Sequence, residues 1–409
     1  MTDPCVKLDP STVASWEQEL KRLRRDFHQY PELGFQEFKT QEKILHYLSN
    51  HGIPAQKIAG TGVKAILQGT ARPDPEKNVP SSKTILLRSD MDALPVKEET
   101  GLAFQSTHDG IMHACGHDGH MAMLLKAAAV LSQLSDRFTG NVVLGFQPNE
   151  EDAGAYLMVE EGILENPGVD AAFGCHLWSG LDSGKIDITK GPVMAASHYF
   201  FLTIKGKGGH AGFAHTSVDP IFIAAQIIQS AQSIQTRQID ALHPAVIMFT
   251  AIEGGSTPTI IPGQVEIKGS IRFLYDRGEE ILEKFEHLVA GVCQTHGASF
   301  ELSFKLGNHM LSNSDDMTRL AARSVLDMAG GQDRLVTGTR TMAGEDFSEF
   351  SRRVPSAYAF VGSRNIEKNT HFPHHHPCFD IDEDVLMQGA ELYIRVALSF
   401  LTGSQDVTI

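Results

Sequence analysis

The sequence predicts an α/β fold: a mainly parallel sheet flanked by helices, interrupted by a smaller βαββαβ domain. Three observations predict it. Apolar runs of strand length alternate with helical stretches over the first half of the chain. Between residues 198 and 305 the order changes to strand, helix, strand, strand, helix, strand, the split-βαβ pattern. After 306 the first pattern resumes, so residues 1–197 and 306–409 form one domain and 198–305 an insert, which loop tips with close ends tolerate.

Taken in order, Val13, Trp16, Leu20, Leu23 and Phe27 follow Pro10 and Ser11 at the spacing of one helical face, and a second helix runs to about Gly52. Strand-length runs come next: VKAIL (63–67), TILLRS (84–89), NVVLGF (141–146) and DAAFGC (170–175). The segment ARPDPEKNVPSSK between the first two is polar, carries three prolines and predicts a surface loop. The insert comprises HYFFLTI, a helix over 218–238, AVIMFTAI, QVEIKGSIRFL, a helix over 278–296, and SFELSF. A helix around 315–329, the strand AYAFVG (357–362) and a final helix from about 383 complete the chain.

At 409 residues the chain is long enough for two or three domains of roughly 150 residues. Hydrophobic residues make up 42% and charged residues 21%, ordinary globular usage. With 35 Lys+Arg against 50 Asp+Glu the net charge is −15, which argues against nucleic acid and against an anionic membrane surface as partners. The cysteines Cys5, Cys115, Cys175, Cys293 and Cys378 are odd in number and scattered, which predicts reduced thiols and a cytoplasmic location. The start MTDPCVKLDP lacks the basic and apolar regions of a signal peptide, and no apolar run reaches the roughly 20 residues of a spanning helix.

Ligand sites of open parallel sheets lie at the carboxyl ends of the strands. Asp90 and Asp92 follow TILLRS, Glu150 and Glu151 follow NVVLGF, His176 follows DAAFGC, and HFPHHHP comes after AYAFVG. MHACGHDGH (112–120) opens the helix before NVVLGF. A thiol, imidazoles and paired carboxylates from separate segments suit a divalent metal site. Glu150 and Glu151 could instead cap the following helix; but one of two adjacent carboxylates can bind metal while the other handles a proton.

On these residues the chain resembles a family of metal-dependent amidohydrolases. Its members include hippurate hydrolase, bacterial N-acyl-amino-acid aminoacylases, plant enzymes cleaving auxin–amino acid conjugates, and N-acetyldiaminopimelate deacetylase. The likeness spans nearly the whole chain and rests on RRDFHQYPELGFQE (24–37), LRSDMDALPV (87–96), MHACGHDGHMAM (112–123), FQPNEE (146–151), GCHLW (174–178), KGKGGHAG (205–212), MAGEDF (342–347) and HHPCFDID (375–382).

The resemblance implies a dinuclear-metal exopeptidase-like domain whose βαββαβ insert is a lid and dimerisation domain. It implies two divalent ions per subunit, most simply Zn²⁺ with Mn²⁺ or Co²⁺ as alternatives, held by Cys115, His117, Glu151, His176 and His375. Spacing alone does not choose among His371, His374, His375 and His376; the family pattern picks His375. Glu150 would be the general base for a metal-activated water attacking the amide of an N-acyl amino acid, a small-molecule substrate. His210 would reach in to steady the oxyanion, commonly from a partner subunit, and Arg272 would hold the substrate's α-carboxylate. Asp90 and Asp92 would orient ligands, His113 and His120 would pack or support, and Cys175 would face away from the site. Three departures from the family pattern are Thr259 where Asn is usual, which bears on a substrate-binding contact, Asn149 for Ala, and Ala214 for Pro. An exposed strand edge, AVIMFTAI, offers a surface for a homodimer or homotetramer.

Other readings are weaker. Cys115 and His117 are too close along a helix start to act as nucleophile and base. Gly206, Gly208 and Ala211 fit a dinucleotide fingerprint, but the helix is delayed past Pro220. A deacetylase or dipeptidase acting on a related amide, and a non-catalytic metal-binding homologue, remain as alternatives, the latter against an intact candidate set.

Overall fold

A computed structural model describes residues 10–71 and 83–403. Cys5, the N-terminal segment and nearly all of the proline-bearing segment between the first two strand runs lie outside them. The chain divides into two compact units: residues up to Gly191 with Ser312–Thr339 and from Asp346 onward, and Pro192–Leu311 with Arg340–Glu345. No periodicity in the sequence announces that the short 340–345 segment belongs with the second unit.

The first unit is built on an eight-stranded sheet. Its centre is four parallel neighbours, Asn141–Gln147, Thr84–Asp90, Ala171–Asp182 and Ser356–Arg364. Every residue of Thr84–Asp90 is buried, as expected of a strand covered on both faces, and its apolar run is continuous instead of alternating. The sheet is mixed where the sequence predicts a mainly parallel one. Ala55–Ile58 returns onto Gly62–Gln68 through Ala59, Gly60 and Thr61, a link far too short for a parallel crossover, so that pair is antiparallel. Gly62–Gln68 then runs antiparallel to Asn141–Gln147.

The His117–Gln133 helix is buried on nearly every side, held between the sheet and the Pro10–Gln29 and Leu386–Thr402 helices. The last of these helices is long and apolar enough to cross a membrane, yet Leu392, Tyr393, Val396 and Ala397 are buried in the core of this unit. The apolar run is thus accounted for by packing.

The second unit has a four-stranded antiparallel sheet in the order Ala245–Glu253, Gln264–Phe273, Ala196–Lys205, Ser299–Leu306. Burial alternates along Gln264–Phe273, so one sheet face packs and the other is open. Phe200, Ile223, Ile227, Ile267, Phe285 and Val289 form the core between that face and the two helices, Pro220–Ser233 and Glu280–His296. The first helix starts late because Asp219 caps it, accepting from Ile221 N at 2.9 Å, with Pro220 at the first helical position. A two-stranded ribbon pairs Gly209–His210 with Ile260–Ile261.

The two cores share no residue. Leu124→Ala in the first and Phe285→Ala in the second should each cost about 2–5 kcal/mol. Denaturant unfolding should find the double variant additive within about 0.5 kcal/mol, and marked non-additivity would contradict separate cores.

Candidate metal centre

The site is assembled by one carboxylate. Asp92, two residues past the Thr84–Asp90 strand, accepts from Glu150 N at 3.0 Å through Oδ1 and from Glu151 N at 3.1 Å through Oδ2. That turn is entered through Asn149 at φ 53° and left through Ala153 at φ 64°, left-handed residues that reverse the chain sharply. Glu37 supports it from the other side, accepting from Asn149 N at 2.9 Å. The sequence alone does not reveal Glu37 in this position; its only signal is its place in the quoted ELGFQE stretch.

His117 is oriented by the same aspartate. Its Nδ1 donates to the Asp92 carbonyl at 2.9 Å and lies 3.3 Å from Asp92 Oδ1. In the neutral ring Nε2 therefore carries the lone pair, the form a metal ion would bind, and this atom is buried with no hydrogen-bond partner among the described residues. It lies 3.9 Å from Glu150 Oε2 and 3.9 Å from Asp90 Oδ2. His176 is prepared similarly: Nδ1 donates to Leu177 O at 2.8 Å, and Nε2 faces Cys115 Sγ at 3.5 Å. His375 Nε2 lies 3.2 Å from Glu151 Oε1.

These contacts make overlapping sets whose ligand atoms lie within 4.8 Å of one another: Cys115, His117 and His176; Cys115, Glu151 and His375; His117, Glu150 and Glu151. The five candidate ligands and Glu150 are thus gathered in one place, with Cys115 common to a deep set and a solvent-facing one. The His117 side chain is 1% exposed and that of His375 52%. Gly116, between Cys115 and His117, has φ 95°, and a Cβ there would meet nothing nearer than Leu177 Cβ at 3.5 Å, an ordinary contact, so backbone conformation more than packing asks for glycine. His375 itself stands at φ 66°, a costly conformation for a side-chain-bearing residue and one that collects at ligand clamps.

The electrostatics call for a cation. Burial pushes the Cys115 thiol well above its ordinary range, and Glu151, Glu150 and Asp90 push it further. Burial opposes charge on His117, but Asp90 and Asp92 outweigh it and hold that imidazole up to about 10. His176 is driven well down by burial, then by His120 and His374. Burial would raise Asp90, yet His117, His120 and Arg88 keep it well below the usual carboxylate range. A buried thiol among carboxylates, with an unpartnered imidazole nitrogen facing them, is the donor chemistry of a divalent transition-metal site, and the residues fit one.

Neighbouring polar residues are committed elsewhere. His120 Nδ1 donates to Asp90 Oδ1 at 2.6 Å and Nε2 accepts from Leu177 N at 2.8 Å, so neither nitrogen remains for a metal. His374 Nε2 donates to Leu177 O at 3.0 Å and Nδ1 accepts from Ser179 Oγ at 3.1 Å. His113 is buried beside His28. Cys175 sits in the core on the far face of its strand.

Beneath them Arg88 donates to Asp90 at 2.8 Å, Gln147 at 2.8 Å and Asp346 at 2.9 Å, tying two strand ends to the MAGEDF segment. The sequence alone assigns Asp346 no role; its signal is the adjacent acid pair Glu345 and Asp346 between apolar neighbours.

The remaining candidates lie in the second unit. His210 is exposed on the ribbon, with Nδ1 accepting from Gly212 N at 3.0 Å. Thr259 is its neighbour there, its carbonyl accepting from Ala211 N at 3.0 Å. Arg272 donates to Met342 O at 2.8 Å, within the same unit.

A family model described as peptidase family M20/M25/M40 matches residues 86–399. The chain is 36% identical over 400 residues to thermostable carboxypeptidase 1 of Saccharolobus solfataricus, covering 97% of this chain and 98% of that one. It is 39% identical over 314 residues to the N-acyl-L-amino acid amidohydrolase of Geobacillus stearothermophilus, covering 73% and 82%. Among solved structures, the Bacillus subtilis YxeP protein, a dinuclear metal binding peptidase from the M20 family, superposes with a TM-score of 0.82 at 30% identity, covering 95% and 99%.

Two predictions come from this geometry. Asp92→Ala should weaken ion uptake by about 10–100-fold, as loss of an outer partner of a metal ligand does, read by calorimetric titration of the stripped protein. The second concerns pH. Burial pushes His374 down to about 4, so its stabilisation is whole above the unfolded imidazole value of about 6.5 and is lost as pH falls toward 4. His117, held up to about 10, contributes stability that is whole below about 6.5 and lost as pH rises toward 10. The Tm of metal-stripped protein should peak near pH 6.5, and a profile flat from 5 to 9 would contradict both assignments.

Proposed function

The chain belongs to peptidase family M20/M25/M40 and is a metal-dependent amide-bond hydrolase; from that premise we propose that it cleaves N-acyl amino acids to a free amino acid and a carboxylic acid. The observation that carries the mechanism is the 150–151 turn, whose two carboxylates stand close together beside His117 but have different further neighbours. Glu151 lies beside His375 and Cys115, and Glu150 beside His117.

Cys115, His117, Glu151, His176 and His375 are the proposed ligands of two divalent ions. Thiolate and imidazole favour Zn²⁺, with Mn²⁺ and Co²⁺ as alternatives. When bound, the ions supply Lewis acidity for the scissile carbonyl and bring water's pKa toward neutrality. Glu150 takes the proton from the attacking water and returns it to the departing amine nitrogen as the C–N bond breaks. Asp92 keeps that carboxylate at the right place, because both amides of the turn are bonded to it.

His210 is the proposed donor to the developing oxyanion, contributed by a second copy of the chain. The Ala245–Glu253 edge, with Met248 55% exposed and Ile252 54%, is where a second copy would pair. A guanidinium carries five N–H donors, so the Arg272 bond to Met342 O is compatible with bidentate capture of the substrate's α-carboxylate, with Thr259 as a further contact. The same chemistry serves a dipeptide, and the similarity to a carboxypeptidase keeps that second reading open. Scattered cysteines, with Cys115, Cys175, Cys293 and Cys378 all free, support a cytoplasmic location.

Glu150→Gln should take up ions normally and lose about 10²–10⁴-fold in kcat on N-acetyl, N-benzoyl or N-indoleacetyl amino acids. Retained turnover would remove Glu150 as base. Mixing Glu150→Gln and His210→Ala subunits, each nearly inactive alone, should restore activity if His210 acts across a dimer; no recovery in verified mixed dimers would contradict that arrangement.

A further inference from the structure

We propose that Arg24 is a positioning residue that couples the two ligand sets, fixing the His375 segment against the Cys115–His117 turn and so setting the affinity of the solvent-facing ion. This rests on the ligand assignment above. Arg24 comes from the first helix, in the RRDFH stretch to which the proposed chemistry gives no task, and is 1% exposed. Its Nε donates to Asp118 Oδ2 at 2.8 Å, one η nitrogen to Asp380 Oδ1 at 2.6 Å, and the other to Glu383 Oε1 at 3.2 Å.

The partners matter more than their number. Asp118 directly follows His117, and Asp380 lies on the segment that leaves His375. One rigid guanidinium thus spans from the deep ligand turn to the loop presenting the exposed ligand. A lysine ammonium, a compact point charge, cannot reproduce that three-way geometry. His28 completes the arrangement, donating from Nδ1 to the same Asp118 oxygen at 2.8 Å while Nε2 lies 3.2 Å from Glu98. Phe104 covers the guanidinium at 5.0 Å.

The His375 loop needs such a fixture. Among the described residues its backbone tie to the ligand turn is His375 N to Ala114 O at 2.8 Å; Glu99 N to Pro377 O at 2.9 Å and the bonds of His374 to Leu177 and Ser179 hold it to other segments. His375 holds a left-handed conformation that persists only where surroundings over-determine it. Buried ion pairs are seldom worth much net stability, so this one is better explained by the geometry it specifies.

Arg24→Ala would take the guanidinium from three acids at once, leaving buried Asp118 with His28 alone, and could fail to fold, so the test cuts the other end. Asp380→Asn keeps the shape of a half-buried side chain and leaves Arg24 paired with Asp118 and Glu383. Zn²⁺ titration of metal-stripped protein, followed by calorimetry and by Tm, should show one of two ions bound about 10–100-fold more weakly, the other unchanged, and the metal-free Tm unchanged. Arg24→Lys should shift the same ion. Asp384→Asn, on the neighbouring surface pair with Lys21, should shift neither.

Equal weakening of both ions together with a lowered Tm would make Arg24 general support for the fold and overturn the proposal, as would unchanged binding of both. His375→Ala separates the two levels. It must remove the same ion, and if it does not, the ligand assignment falls and this inference with it.

Discussion

Everything in the candidate centre depends on keeping like charges close together in a place that water barely reaches. Two adjacent glutamates, two aspartates and a thiol would repel one another if left bare, and moving them apart would destroy the site. The chain meets this by giving Asp92 three fixed tasks: it receives both amides of the 150–151 turn and sets the tautomer of His117. Donors are thereby spent on the outer acid, leaving the inner atoms for a cation. The buried Nε2 of His117, without a partner, is the sign that the arrangement is completed by something other than protein.

Around that centre the supports lie in layers. Arg88 ties Asp90, Gln147 and Asp346 together below the strand ends, and Tyr393 from the last helix donates to the Arg88 carbonyl at 2.6 Å. On another side Arg24 joins the ligand turn to the loop after His375. Each guanidinium meets several acids at once, a task for which a planar fork of donors is suited and an ammonium is not. The parallel strands aim their carboxyl ends at one place, and these networks convert that rough convergence into defined distances.

Much of this was legible in the residues. The four central strands read as continuous apolar runs because they are covered on both faces, and the insert announced itself by a change in element order. Glu150, Glu151, His176 and the Cys115–His117 pair could be read as candidates because each follows a strand or opens a helix. Antiparallel edges were less legible: Ala55–Ile58 has four residues, two of them exposed, and no apolar pattern. The choice among the clustered histidines was not available from spacing, since all lie on one loop; the structure separates two of them by contact, His374 bonded to Leu177 and Ser179 and His375 facing Glu151. The joins made by Arg24, Glu37 and Asp346 connect segments far apart in sequence, and no local pattern marks such partners.

Two ions at this centre, with Glu150 beside them, are proposed to carry amide hydrolysis. The most direct measurement is to strip the protein of metal and add back Zn²⁺ or Mn²⁺ in known equivalents while following release of free amino acid from an N-acyl amino acid. Activity absent without metal, rising with added ion and saturating at about two equivalents per chain, is the result expected of a dinuclear centre. Full turnover in the stripped protein, undiminished by chelator, would contradict the account.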